Sequence, residues 1–150
     1  MSDFSKQLPV AIGCDHAGYT YKDAIKAHLE AGGWQVLDFG TNGPDSVDYP
    51  DFAHPTAASV EMGESTFGVL ICGSANGVAI TANKHAGIRA GLCWNDDVAK
   101  LVRLHNNANM ICIPARFVSV DEAIQLVDTF IGTSFEGGRH ATRVDKISCS

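Results

Sequence analysis

The chain has 150 residues, 45% of them hydrophobic, and 11 Lys and Arg against 17 Asp and Glu give it a formal net charge of −6. That length fits a single domain over residues 1–150 with its own core, and the acidic balance argues against nonspecific nucleic-acid binding while leaving room for a local basic site. No apolar run approaches the length of a membrane span, and Met1-Ser-Asp-Phe-Ser-Lys lacks signal-peptide character, so a soluble, cytoplasmic protein is expected.

The first apolar run, Leu8 to Cys14, reads as a strand and leads through Asp15-His16-Ala-Gly18 into a helix over Tyr21 to Ala31, which Gly32-Gly33 ends. Trp34 to Phe39 is a second strand, and Gly40 to Asp48 is a polar loop rich in turn residues. Tyr49-Pro50-Asp51 opens a helix to about Met62, with proline in its first turn. Phe67 to Ile71 is a third strand ending at Cys72, and Gly73 to Gly77 turns into a helix to about His85. Gly87 to Cys93 is a fourth strand, Asn95 to Leu104 a helix, and Met110 to Pro114 a fifth strand. Ser119-Val-Asp-Glu122 has the order of a capping box, and its helix should turn Ile124, Val127 and Ile131 inward. The remainder, Phe135 to Arg143, reads as a basic tail that becomes mixed.

Near-continuous apolar strands alternating with helices predict an α/β fold, a parallel sheet covered on both faces. Ligands of such folds collect beyond the carboxyl ends of the strands. Asp15-His16, Cys72-Gly73-Ser74 and the segment after Ile113 all fall at that edge. The turn after Cys72 has no bulky side chain, and its free N–H groups at a helix start suit an anion. It reads as a place where negative charge develops and is held, with the Cys72 sulfur at its rim.

Other polar residues carry two readings each. Asp15 is either an acid/base group or the cap of the following helix. His105, at a helix end before Asn106 and Asn107, is either catalytic or a surface group compensating the helix dipole. Arg139-His140-x-x-Arg143 with Arg116 is either a phosphate clamp, since guanidinium grips oxyanions with paired hydrogen bonds, or a solvated basic tail. His28, His54 and His85 have no evident partners and read as structural. Of the five cysteines, Cys14, Cys93 and Cys112 read as small buried hydrophobes, and with Cys72 and Cys149 they form no Cys-x-x-Cys pair, so reduced thiols are expected. No dinucleotide, P-loop, zinc-protease or nucleophile-elbow motif is present.

Several stretches together resemble the ribose-5-phosphate isomerase B family, which also contains the galactose-6-phosphate isomerase subunits. They are Gly13-Cys-Asp15-His16-Ala-Gly18, Asp48-Tyr49-Pro50, Cys72-Gly-Ser-Ala-Asn-Gly77 with Ala82-Asn83-Lys84, Gly87-Ile-Arg-Ala90, His105-Asn-Asn107 with Asn109, and Glu136-Gly-Gly-Arg139-His140-x-x-Arg143. The resemblance implies a Rossmann-like three-layer sandwich with a five-stranded parallel sheet. It also implies a homodimer with sites between subunits, with association into a dimer of dimers left open, no metal and no organic cofactor. The implied reaction interconverts an aldose phosphate and a ketose phosphate through a cis-enediol. Ribose 5-phosphate and ribulose 5-phosphate are the expected pair, a tetrulose phosphate or hexose 6-phosphate the alternative, and a non-catalytic sugar-phosphate binder the alternative from another class.

By the same resemblance Cys72 is the base, Ser74 with the loop N–H groups holds the enediolate, and Gly73, Asn76 and Gly77 bind the substrate. Asp15 and His105 open the sugar ring; His16, Arg116, Arg139, His140 and Arg143 contact phosphate; Tyr49 and Asn106 line the sugar site. A thiol near a helix start is expected to be shifted towards thiolate. A branch of the family uses a glutamate where this chain has Val78, and the family loop commonly has glycine at the place of Ala75.

Overall fold

The computed structural model describes residues 2–148; Cys149 lies outside the described residues. The elements run β1 (Val10–Cys14), α1 (Tyr19–Ala31), β2 (Val36–Asp38), α2 (Pro50–Glu61), β3 (Gly68–Cys72), α3 (Asn76–Ala82), β4 (Ala90–Leu92), α4 (Asp96–Leu104), β5 (Met110–Pro114), α5 (Val120–Gly132) and α6 (Arg139–Asp145). The five strands form one parallel sheet in the order β2-β1-β3-β5-β4. The order follows from burial. β1, β3 and β5 are buried along their whole length and take the middle, while the short, half-buried β2 and β4 take the edges.

Because side chains alternate across a strand, one sequence feeds two cores. Val10, Ile12, Val69, Ile71, Ile111 and Ile113 face a layer containing Ile25 and Leu29 of α1 and Leu126, Val127 and Phe130 of α5. Ala11, Leu70, Cys72, Met110 and Cys112 face the layer of α2 and α3. The result is the Rossmann-like three-layer sandwich. Phe67 and Phe130 are fully buried, and each contributes about 1.5–3 kcal/mol by leaving water.

Local signals set the helix ends. Asn95 Oδ1 accepts from Val98 N (2.9 Å) at the start of α4. The Ser119–Glu122 capping box closes in both directions, Glu122 N to Ser119 Oγ at 3.1 Å and Ser119 N to Glu122 Oε1 at 3.0 Å. Four expectations need correction. On α5 the fully buried positions are Ala123, Leu126, Val127 and Phe130, with Ile124 and Ile131 packed half-buried at the margin. α3 ends at Ala82, short of His85. The basic tail, read without an element of its own, holds a helix: Gly138, at φ +57, turns the chain into α6. The three histidines read as partnerless have partners: His28 meets Asp128 (2.8 Å), and His54 meets His85 (2.8 Å), which meets Glu61 (3.2 Å).

Among the described residues, two long cations are buried outright. Lys22 Nζ donates to both oxygens of Asp38 (2.9 and 3.1 Å) and to Asn42 Oδ1 (2.5 Å), tying α1 to the loop after β2. The other is Arg103, in α4.

Candidate active site

Strands that end together place their following loops side by side. Ala115 N donates to Cys72 O (2.9 Å) and Arg116 N to Gly73 O (3.0 Å), so the loops after β3 and β5 are stitched by main chain. The Arg116 guanidinium lies over Gly73, where a Cβ would stand 2.9 Å from Arg116 Nε; the Tyr49 ring lies on Gly77, where a Cβ would stand 2.5 Å from ring carbons. Both glycines are therefore required by close approach. Ala75 holds φ +64, the left-handed region usually left to glycine.

The Cys72 thiol closes β3, nearly buried. Burial pushes its pKa above the ordinary 9.0, and the Asp15 charge pushes the same way; the N–H groups of Ala75, Val78 and Ser74 pull it down by less. The expectation of a thiol shifted towards thiolate is overturned for this chain: desolvation of the sulfur outweighs the N–H groups aimed at it. The other described cysteines are the buried hydrophobes expected, with Cys14 and Cys93 pushed up to about 12 by burial.

Asp15 is buried beside this loop. It does not cap α1, whose cap position is Gly18 with no side-chain bond. Its Oδ1 instead accepts from Ala17 N (2.9 Å), which turns the chain after β1. His16 Nδ1 accepts from Val47 N (3.2 Å), leaving Nε2–H to donate outward. Ser74 Oγ accepts from Asn76 N (3.3 Å) at the head of α3.

His105, Asn106, Arg139, His140 and Arg143 are elsewhere. α4 precedes β5, so His105 and Asn106 lie at the amino ends of the strands, and Glu136 N donates to Leu104 O (3.1 Å) to bring α6 to the same edge. Five residues of β3 at about 3.3 Å each separate the edges by roughly 17 Å, longer than a five-carbon sugar phosphate. His105 and His140 stack, ring centroids 4.1 Å apart and 14° from parallel. With Asn106 and Arg143 they line a cavity of about 290 Å³. Burial lowers the His140 pKa, and the charges of His105, Arg139 and Arg143 lower it further against the opposing pull of Glu136. His140 Nε2 is buried without a hydrogen-bond partner among the described residues.

Among the described residues, His105, Glu136 and His140 offer ligand atoms within 4.8 Å of one another. Arg139 and Arg143 on the same short helix make that corner a better fit for an oxyanion than for a cation. Sequence reasoning misses Arg103 here and gives Glu136 no role. A charged residue four places after the buried Ala99, on one face of α4, was the available sign of Arg103.

The fold defines an α/β protein of Rossmann-like architecture, with the Cys72 loop at the carboxyl edge of its sheet. The chain belongs to the Ribose/Galactose Isomerase family, whose sequence model matches residues 10–147. It is 43% identical over 139 residues to ribose-5-phosphate isomerase B of Escherichia coli, covering 93% of each chain. The structure of ribose-5-phosphate isomerase B from Clostridium thermocellum superposes with a TM-score of 0.92 at 47% identity, covering 93% of this chain and 95% of that one. The Mycoplasma genitalium enzyme, solved with bound ribulose-5-phosphate, superposes with a TM-score of 0.90 at 43% identity, covering 93% of each.

Proposed function

We propose that the protein interconverts ribose 5-phosphate and ribulose 5-phosphate without a cofactor, through a cis-enediol, at a site completed by a second copy of the chain. The observation that carries this reading is the Cys72 loop, where a thiol, three N–H groups aimed at it and a guanidinium over Gly73 converge. In the open-chain aldose, the Cys72 thiolate takes the proton from C2. Electrons of that C–H bond form the C1–C2 double bond, and the C1 carbonyl oxygen gains negative charge, then a proton. Loss of the O2 proton and return of a proton from the Cys72 thiol to C1 complete the ketose. Ser74 and the loop N–H groups stabilise the enediolate more than the neutral sugar, and that difference lowers the barrier. Because the thiol is held high, the thiolate is the minor form before substrate enters, and rate depends on its supply.

Ring opening needs proton transfers at O1 and the ring oxygen, the roles assigned to Asp15 and His105. The phosphate is met by His16 and Arg116 from one edge and by Arg139, His140 and Arg143 from the other. One chain cannot bring both edges to one sugar, so two chains in a homodimer supply one site. Ile80, Trp94 and Phe117, 63%, 54% and 73% exposed near the Cys72 loop, give such a pairing apolar surface to bury.

The test is incubation of the purified protein with ribose 5-phosphate in D₂O without added metal, read by NMR. Ketose formation, with deuterium at C1, is the expected result. Binding without turnover would make the protein a sugar-phosphate binder, and turnover of tetrose or hexose phosphates in preference would reassign the substrate.

A further inference from the structure

Residues 2–4 precede the part of the chain that matches the family, residues 10–147, yet they reach the amino-edge half of the site through one buried cation. Arg103 is 1% exposed. Its Nε donates to Thr133 O (3.1 Å), its Nη1 to Asn107 Oδ1 (2.9 Å) and Ala108 O (2.6 Å), and its Nη2 to Asp3 Oδ2 (2.5 Å). The same Asp3 oxygen accepts from Phe135 N (2.8 Å). The guanidinium lies beside the stacked rings of Phe4 and Phe130, 4.6 and 5.6 Å from their centroids. A buried guanidinium needs a counter-charge, and Asp3 supplies it.

These bonds fix two segments at once. His105 and Asn106 lie in the short span between Arg103 and Asn107. Asn107 holds φ +47, a left-handed conformation sustained by Arg103 on its side chain and by Arg89 Nε on its carbonyl (3.0 Å). Thr133 and Phe135 belong to the connector that leads into α6, so the same ion pair holds the approach to Arg139, His140 and Arg143. Two independent pieces of chain, each bonded to one rigid fork, thereby arrive with their imidazoles stacked.

We propose that the Asp3–Arg103 pair is a positioning element of the amino-edge half-site, by which the N-terminal segment sets the placement of His105, His140 and the α6 arginines for a phosphate-bearing ligand. This rests on the reading of that half as the phosphate side. Neither residue touches substrate; both act through the turn and the connector.

Replacing Arg103 itself would leave polar groups buried without partners, so Asp3→Asn is the variant of choice: Asp3 is 42% exposed, and the change removes charge while keeping shape. Affinity for inorganic phosphate is read from the imidazole NMR signals of His105 and His140, which needs no turnover. KM and kcat for ribose 5-phosphate are measured beside it, with iodoacetamide alkylation of Cys72 reporting the opposite edge. Loss of a buried charge-assisted bond should weaken phosphate affinity and raise KM by about tenfold, leave alkylation unchanged, and be largely recovered in Asp3→Glu. Unchanged phosphate affinity in Asp3→Asn, or alkylation that changes in step with it, would overturn the proposal, as would wild-type histidine signals that phosphate leaves unmoved. A wild-type protein that binds phosphate at these histidines but does not isomerise ribose 5-phosphate would sink the catalytic reading and leave the brace standing.

Discussion

The two halves of the proposed site are built in different ways. At the carboxyl edge, main chain does the positioning: β3 and β5 are fully buried, their loops are bonded to each other, and Gly73 and Gly77 let Arg116 and Tyr49 lie against the backbone. At the amino edge, side chains do it: a helix end and a seven-residue helix are held by a buried ion pair and a stack of two imidazoles. On the proposed function, the contrast follows from what each half would do. Charge that develops at one atom needs donors fixed before the reaction, and main chain at the end of a buried strand moves least. A phosphate group is larger and already charged, so long cations on a helix can grip it.

The comparison is tested most severely by removing the reacting group. Cys72→Ala should cost about a thousandfold in turnover, within the range for a positioned acid/base group, with the circular dichroism spectrum unchanged. A Cys72→Ala protein that still exchanges the substrate proton would move the base elsewhere. A sharper experiment mixes two inactive chains. Cys72→Ala supplies an intact amino edge and His105→Ala an intact carboxyl edge, so subunit exchange at equal amounts should restore about a quarter of wild-type activity, one good site in each of the half of dimers that are mixed. No recovery after demonstrated exchange would place both halves of the site in one chain.

The remaining predictions concern the carboxyl edge alone. Burial holds the Cys72 thiol protonated to higher pH than a free thiol, so its alkylation by iodoacetamide should rise with pH and reach its midpoint above 9.0. A plateau below that value would mean that the N–H groups outweigh desolvation after all. The smallest effect is on stability. Ala75→Gly removes the left-handed penalty of Ala75 and adds unfolded-state entropy, for a net gain of about 0.5–1 kcal/mol in urea unfolding. A loss of stability would show that the Ala75 methyl, fully buried against α3 and β3 neighbours, contributes more by packing than its backbone costs.

Much of the fold was legible because strand and helix periodicities are local. The runs ending at Cys14, Cys72 and Pro114 became the three central strands, and the capping box at Ser119 marked α5 to the residue. The Cys72 loop was legible as a strand, a tight turn and a helix because small residues stand between an apolar run and a helix-compatible segment. α6 was not, since seven residues beginning after a glycine pair carry too little periodicity to read, and the helix depends on the Glu136 N–Leu104 O bond and the His105 stack. The direction of the Cys72 pKa shift was misread because helix-start donors are visible in sequence and desolvation is not.

The sequence by itself determined the alternation of strands and helices, the loop of small residues after Cys72, and a set of motifs sufficient to indicate the family, because each is a property of neighbours in the chain. Tertiary structure alone decided that His105 and the α6 cations sit a strand's length from Cys72, that Asp15 turns a loop instead of capping a helix, and that Asp3 meets Arg103 across a hundred positions. Those depend on which strand ends share an edge and on which charges must find each other once water is gone, and neither is written in any single stretch.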